Sequence, residues 1–147
     1  MKFKFSLEAL LKQNKILEDL AKKEYYEAEF KTKESLNKVE AMFLEITQNK
    51  KKISEIEMAG GNISASTVGI NSYIQGLKIK IAREQEVFRE LKYISDQKLE
   101  VLREKAIEHK KVDTLKAKRF AEFKIAKRKK DMKAMDELSI IKYKRAK

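Results

Sequence analysis

Proline, cysteine and tryptophan are absent from the 147 residues, and glycine occurs only four times. Globular chains of this length carry about seven prolines and about ten glycines. Almost nothing is therefore left for turns, and sandwiches, barrels and wound α/β sheets are disfavoured. Long uninterrupted helix survives, because proline is the residue it tolerates least. Without cysteine there is no disulfide framework, thiolate metal site or cysteine nucleophile. The single histidine, His109, excludes a histidine cluster. Apolar runs reach four residues at most, where a membrane-spanning helix needs roughly 18–20. The opening Met-Lys-Phe-Lys-Phe leads into no apolar stretch of the secretory type, so the chain reads as cytoplasmic. Its length fits one domain.

What remains is helix and charge. Three of the four glycines fall within residues 58–69, a stretch with no charged side chain between flanks dense in Lys and Glu. Gly60-Gly61-Asn62 can take positive φ and end a helix, and Ser66 or Thr67 can cap the next one. The expected organisation is an all-α antiparallel hairpin of coiled-coil type. It has a helix over about 6–58, a turn over about 59–68 and a second helix over about 69–140. Ser6 is the expected N-cap of the first helix, with Glu8 in the first turn, where the helix dipole favours a carboxylate. Phe5 and Leu10 are spaced for a hydrophobic staple.

Two seven-residue rows define the first helix's seam. One is Leu11, Glu18, Tyr25, Thr32, Val39, Ile46 and Ile53. The other is Leu7, Asn14, Ala21, Ala28, Ser35, Met42, Asn49 and Ile56. Leu10, Leu17, Leu20, Leu36 and Phe43 are expected to widen it. The second helix carries Ile70, Ile74, Leu77, Ile81, Phe88, Leu91, Ile94, Val101, Leu102, Val112 and Leu115, a series that drifts by one position after Leu91. Asn14, Ser35, Asn49, Ser95 and His109 are polar seam positions, expected to fix register at a cost in stability. A turn at 60–67 would set residue 5 beside residue 123. Residues 124–140 would then project about 25 Å beyond the paired helices, at 1.5 Å per residue.

The charge coincides with that projection. Residues 116–147 hold thirteen Lys and Arg against Glu122, Asp131, Asp136 and Glu137, so this segment carries +9 of the net +12. A basic helix can meet nucleic acid through phosphate contacts, but no base-reading motif accompanies it. An anionic membrane surface would use Phe120, Phe123, Ile125, Met132, Met135, Leu138, Ile140 and Ile141 as well as the charge. An acidic protein cavity is the third class of partner. No catalytic constellation, metal site or cofactor-binding motif is visible. Gly60-Gly61 and Gly69 lack the closing Gly-Lys-Ser/Thr of a phosphate loop, and carboxylates such as Glu55, Glu57, Glu84 and Glu86 alternate with Lys as on a solvated helix. A two-helix hairpin offers no deep pocket for a small-molecule substrate.

The residues also resemble a known family. Phe3-Lys4-Phe5-Ser6-Leu7-Glu8-Ala9-Leu10-Leu11 opens the chain and a glycine-containing turn divides it. Leu115-Lys116-x-Lys118-Arg119-x-x-Glu122-Phe123-Lys124 follows, and then Lys133-x-Met135-Asp136-Glu137-Leu138. This order resembles the flagellar export protein FliJ, over nearly the whole chain. The resemblance implies an antiparallel coiled-coil hairpin similar to the central stalk of rotary ATPases. It implies a non-catalytic place, without cofactor, in the flagellar type III export apparatus, peripheral to the inner membrane at the flagellar base. The hairpin base would dock in the hexameric export ATPase through Lys118, Arg119, Glu122, Asp136 and Glu137. Tyr73 and Leu77, near the turn, would contact the cytoplasmic domain of the large export-gate protein, and export chaperones would also bind. Leu77 lies equally on the apolar seam, which makes Tyr73 the better surface residue. Two other readings of the same features stand beside this one. One is a basic coiled coil binding nucleic acid or an anionic surface. The other is a stalk subunit of another rotary ATPase or of a virulence-type secretion system. One buried stripe also suits a homo-oligomer formed through Phe30, Phe43, Phe120 or Phe123.

Overall fold

A computed structural model describes residues 2–60 and 63–146, with side chains except those of Ile63 and Ser64. It holds two helices, α1 (Glu8–Met58, 51 residues) and α2 (Ile63–Ala146, 84 residues). The fold is all-α, a helical hairpin. It divides into two compact units, residues 21–102 and residues 1–20 with 103–147.

All fifteen expected seam positions of α1 are buried or half-buried. A repeat of seven keeps one stripe of an α-helix facing its partner over many turns. The expected widening is mostly absent. Leu10, Leu20, Leu36 and Phe43 are exposed, and only Leu17 is half-buried. In the unit of residues 21–102, Val39, Ile46, Ile74, Leu77 and Ile81 form the apolar core, with Met42, Ile53 and Ile70 against it. Burying a side chain such as Leu77 contributes roughly 1.5–3 kcal/mol relative to leaving it exposed.

The α2 seam does not drift. Its rows run Ile74, Ile81, Phe88, Ser95, Leu102, His109, Lys116 and Phe123, and Ile70, Leu77, Glu84, Leu91, Lys98, Lys105 and Val112, all buried or half-buried. Ile94 and Val101, which suggested the shift, are exposed. The aliphatic residues misled because several seam places are held by Ser, Glu and Lys. A lysine stem can line a seam while its ammonium reaches solvent.

The ends of the helices differ from expectation too. α1 stops where Gly60 takes φ +70°, a left-handed conformation that glycine adopts without steric cost. Gly61 and Asn62 lie outside the described residues. α2 then begins at Ile63, not near 69, so Ser66, Thr67 and Gly69 lie inside the helix and not ahead of its first turn. A stretch free of charge is not thereby a loop. At the other end α1 begins at Glu8, with the Phe5 carbonyl accepting from the Glu8 N–H at 3.2 Å. The Ser6 hydroxyl accepts instead from the Arg119 guanidinium at 3.1 Å. Phe5 is buried and Leu10 exposed, so the expected staple is not formed.

Register follows the earlier start of α2. Residue 5 was expected beside residue 123, but Phe5 lies under the Arg119 guanidinium, one helical turn nearer the loop. After Phe123 every described residue is exposed, and α2 continues as helix through Ala146, past the expected end near 140.

Candidate functional site

Two surfaces carry the residues picked out from the sequence. The first is in the unit of residues 1–20 and 103–147. Phe3 packs against Phe120 and Phe123, with ring centroids 5.2 and 5.5 Å apart. Arg119 lies 5.6 Å from the Phe5 centroid, Lys124 lies 4.5 Å from that of Phe120, and Lys116 pairs with Glu8 at 2.9 Å. The N-terminal aromatics thus clamp α2 just before it loses cover. A cation over an aromatic face gains about 0.5–1 kcal/mol at an exposed site.

Lys118, Arg119, Glu122, Asp136 and Glu137 are all exposed. They do not form one cluster, because seventeen residues from 119 to 136 span about 25 Å of helix. They do share a side. At about 100° per residue, Lys118 and Asp136 project in one direction, Glu122 about 40° from it, and Arg119 with Glu137 about 100° from it. Arg119 differs from the other four, being held by Ser6 and Phe5.

The second surface is in the unit of residues 21–102. Tyr73 is half exposed and its phenol donates to Glu45 Oε2 at 2.7 Å. The carboxylate raises the phenol's pKa above its ordinary 10.0, first by that hydrogen bond and then by its charge. Leu77 is only 4% exposed and belongs to the apolar core. As folded, Tyr73 presents a surface and Leu77 lies in the core. Glu45 was not among the residues picked from the sequence. Its partnership depends on the pairing of α1 with α2, which no local pattern spells out.

Four of the expected polar seam residues make resolved contacts, Asn49 within its own helix, where its amide donates to the Glu45 carbonyl at 2.7 Å. His109 Nδ1 meets Glu18 Oε2 at 2.7 Å, the Ser35 hydroxyl donates to Glu84 Oε1 at 2.7 Å, and the Asn14 amide reaches the Glu108 carbonyl at 3.5 Å. Thr32 donates to its own helix, to the Ala28 carbonyl at 2.8 Å. Of the phenylalanines considered for self-association, Phe30, Phe43 and Phe120 are exposed, whereas Phe123 is half-buried against Phe3. Among the described residues no group of His, Asp and Glu is arranged to hold a metal ion, and no helix is long and apolar enough to cross a membrane.

A seven-residue seam, a single glycine turn and a long uncovered basic end define a helical-hairpin protein built around contact surfaces. The family model for the flagellar FliJ protein matches residues 3–147, and the chain belongs to that family. Membership supports a role in flagellar protein export, in a family that is non-catalytic. No curated protein and no solved structure matches the chain.

Proposed function

We propose that this protein is a non-catalytic coupling element of the flagellar type III export apparatus. The basic end of α2, from Lys118 onward, docks in the hexameric export ATPase, in the manner of a rotary-ATPase central stalk. The surface around Tyr73 contacts the cytoplasmic domain of the export-gate protein, and export chaperones are further partners. The protein itself works at the cytoplasmic face of the inner membrane and turns over no nucleotide. The observation that carries this reading is the continuous exposure of every described residue after Phe123, in a chain that matches its family along almost all of its length. An 84-residue helix whose last turns cover nothing in their own fold is built to be covered by something else.

The test is capture of the hexameric ATPase by the purified chain and two charge reversals. Arg119→Glu and Lys118→Glu should both weaken capture while far-ultraviolet circular dichroism stays unchanged. Arg119 also ties down the N-terminal segment, so Lys118→Glu separates loss of contact from loosening of the clamp. Full capture by Lys118→Glu, Arg119→Glu and their combination would count against docking through this face.

A further inference from the structure

Within the unit of residues 21–102, a groove of about 200 Å³ opens along one flank of the α1–α2 seam. Ala28, Leu91 and Ile94 supply its apolar lining, and Glu24 and Lys98 bridge the two helices at one end, 3.2 Å apart. Small-molecule pockets hold roughly 300–1,000 Å³, so this space suits inserted side chains and not a ligand. It belongs to a longer apolar stripe. Val87, Leu91, Ile94 and Val101 follow one another at spacings of four, three and seven residues. At about 100° per residue they keep within about 80° of one another on α2. Val87, Ile94 and Val101 are 41%, 44% and 41% exposed, whereas Ser95 beside them is 4% exposed. In this stretch α2 therefore turns a serine toward α1 and leaves an aliphatic row uncovered on the flank. Scattered exposed apolar residues need no explanation, but a contiguous row bordered by charge marks an interaction surface.

We infer that this groove is the docking site for an amphipathic helix of a partner protein, one with an aliphatic stripe and basic flanks. Two adjacent helices present holes that repeat every seven residues, and a third helix fills them with knobs of the same repeat. The charge of the flanks follows from the rim. Glu27 and Glu34, seven residues apart, share one side of α1, and Glu90 borders the α2 stripe on the side away from Ser95. All three are exposed and in no ion pair among the described residues, with Lys31 the cation between them. The rim is thus acidic in a chain of net charge +12, which sets it against anionic lipid and nucleic acid. The Glu24–Lys98 pair is partly exposed and hinders entry little. The inference is independent of docking in the ATPase, and Ile94 lies about 30 Å along α2 from Tyr73.

The test uses the full chain and two labelled synthetic peptides, each of three heptads with leucine in the core positions. One peptide has lysine on the flanks of its stripe and the other has glutamate. Binding is read by fluorescence anisotropy at low salt. The lysine peptide should bind the more tightly, although the net charge of the chain favours the other. Ile94→Ser should weaken that binding roughly tenfold. Leu36→Ser, at a comparably exposed leucine across the seam, should leave it unchanged. Glu90→Lys, which removes no packing, should abolish the preference for lysine and keeps the test valid if Ile94→Ser loses helicity. Failure of the lysine peptide to bind, equal or tighter binding of the glutamate peptide, or an equal loss in Leu36→Ser each overturns the inference. So does self-association of the unaltered chain, seen by sedimentation, that Ile94→Ser abolishes, because the occupant would then be a second copy.

Discussion

Near the loop, in the unit of residues 21–102, the seam closes on Val39, Ile46, Ile74, Leu77 and Ile81, an aliphatic core with no charged member, while Ser35, Glu84, Ser95 and Lys98 hold seam places farther along that unit. In the unit of residues 1–20 and 103–147 the same seven-residue rows carry Asn14, Glu18, Lys105, His109 and Lys116, and an aromatic clamp of Phe3, Phe120 and Phe123 ends the paired part. Both stretches are helix against helix with the same repeat. They differ in what the repeat is made of, and so in what it does. Aliphatic layers supply stability without direction. A buried carboxylate such as Glu18 tolerates only the layer that brings it its partner, so polar layers fix register at a cost in stability.

The sharpest way to break this contrast is Leu77→Ala. Emptying this buried leucine site should cost about 2–5 kcal/mol, read as a lower midpoint in urea unfolding. The same variant tests Leu77's role. If any gate contact of the kind proposed is lost only in proportion to the loss of fold, Leu77 belongs to the core and not to the contact surface. A loss under 1 kcal/mol would mean that the aliphatic unit is not the main source of stability.

Phe3→Ala asks the same of the clamp. It removes two ring contacts, each worth about 0.5–1.5 kcal/mol beyond area, so about 2 kcal/mol is expected. Amide exchange should accelerate around residues 3–11 and 116–123 more than around residues 39–81. Uniform acceleration would erase the distinction between the units.

The smallest effect is expected at Glu45 and is seen best through pH. Tyr73's phenol has its pKa raised by Glu45. A group whose folded value is raised contributes stability that is intact below its unfolded value, near 10 for a phenol, and is lost as pH rises through the folded value. Glu45→Gln should bring the tyrosinate titration of Tyr73 back down toward 10.0. The difference spectrum against Tyr73→Phe isolates that tyrosine from the other four. Stability at neutral pH should hardly change, because the pair is exposed. An unmoved titration would mean that the Glu45 contact does not hold Tyr73 in solution.

These contrasts also show what could be read without coordinates. The α1 rows were legible in full, because the repeat of seven survives polar insertions when an aliphatic residue returns every turn or two. The turn was legible at Gly60, where positive φ is a backbone demand. The start of α2 was not, since lack of charge over residues 58–69 looks the same in a loop and in a helix. From Leu91 onward the pattern pointed wrongly to Ile94 and Val101, because the true seam there passes through Ser95, Lys98 and Lys105. The exposed tail was visible as a charge imbalance, and its end-to-end exposure followed from the unequal helix lengths. Arg119's hold on Ser6 and Glu45's hold on Tyr73 depend on which residues face each other across the hairpin. One helical turn of error in register hides both.

The pairing also has a consequence for synthesis. Glu45 and Tyr73 are 28 residues apart in the chain, whereas Ser6 and Arg119 are 113 apart. Chain emerges from the ribosome at roughly 5–20 residues per second, so the loop-side contacts can close several seconds before the clamp. Throughout that interval Phe3 and Phe5 are nascent aromatic side chains waiting for partners still untranslated. Phe3 and Phe5 thus pass through that interval without the side chains that cover them in the fold, and leave that hazard only once Phe123 has emerged.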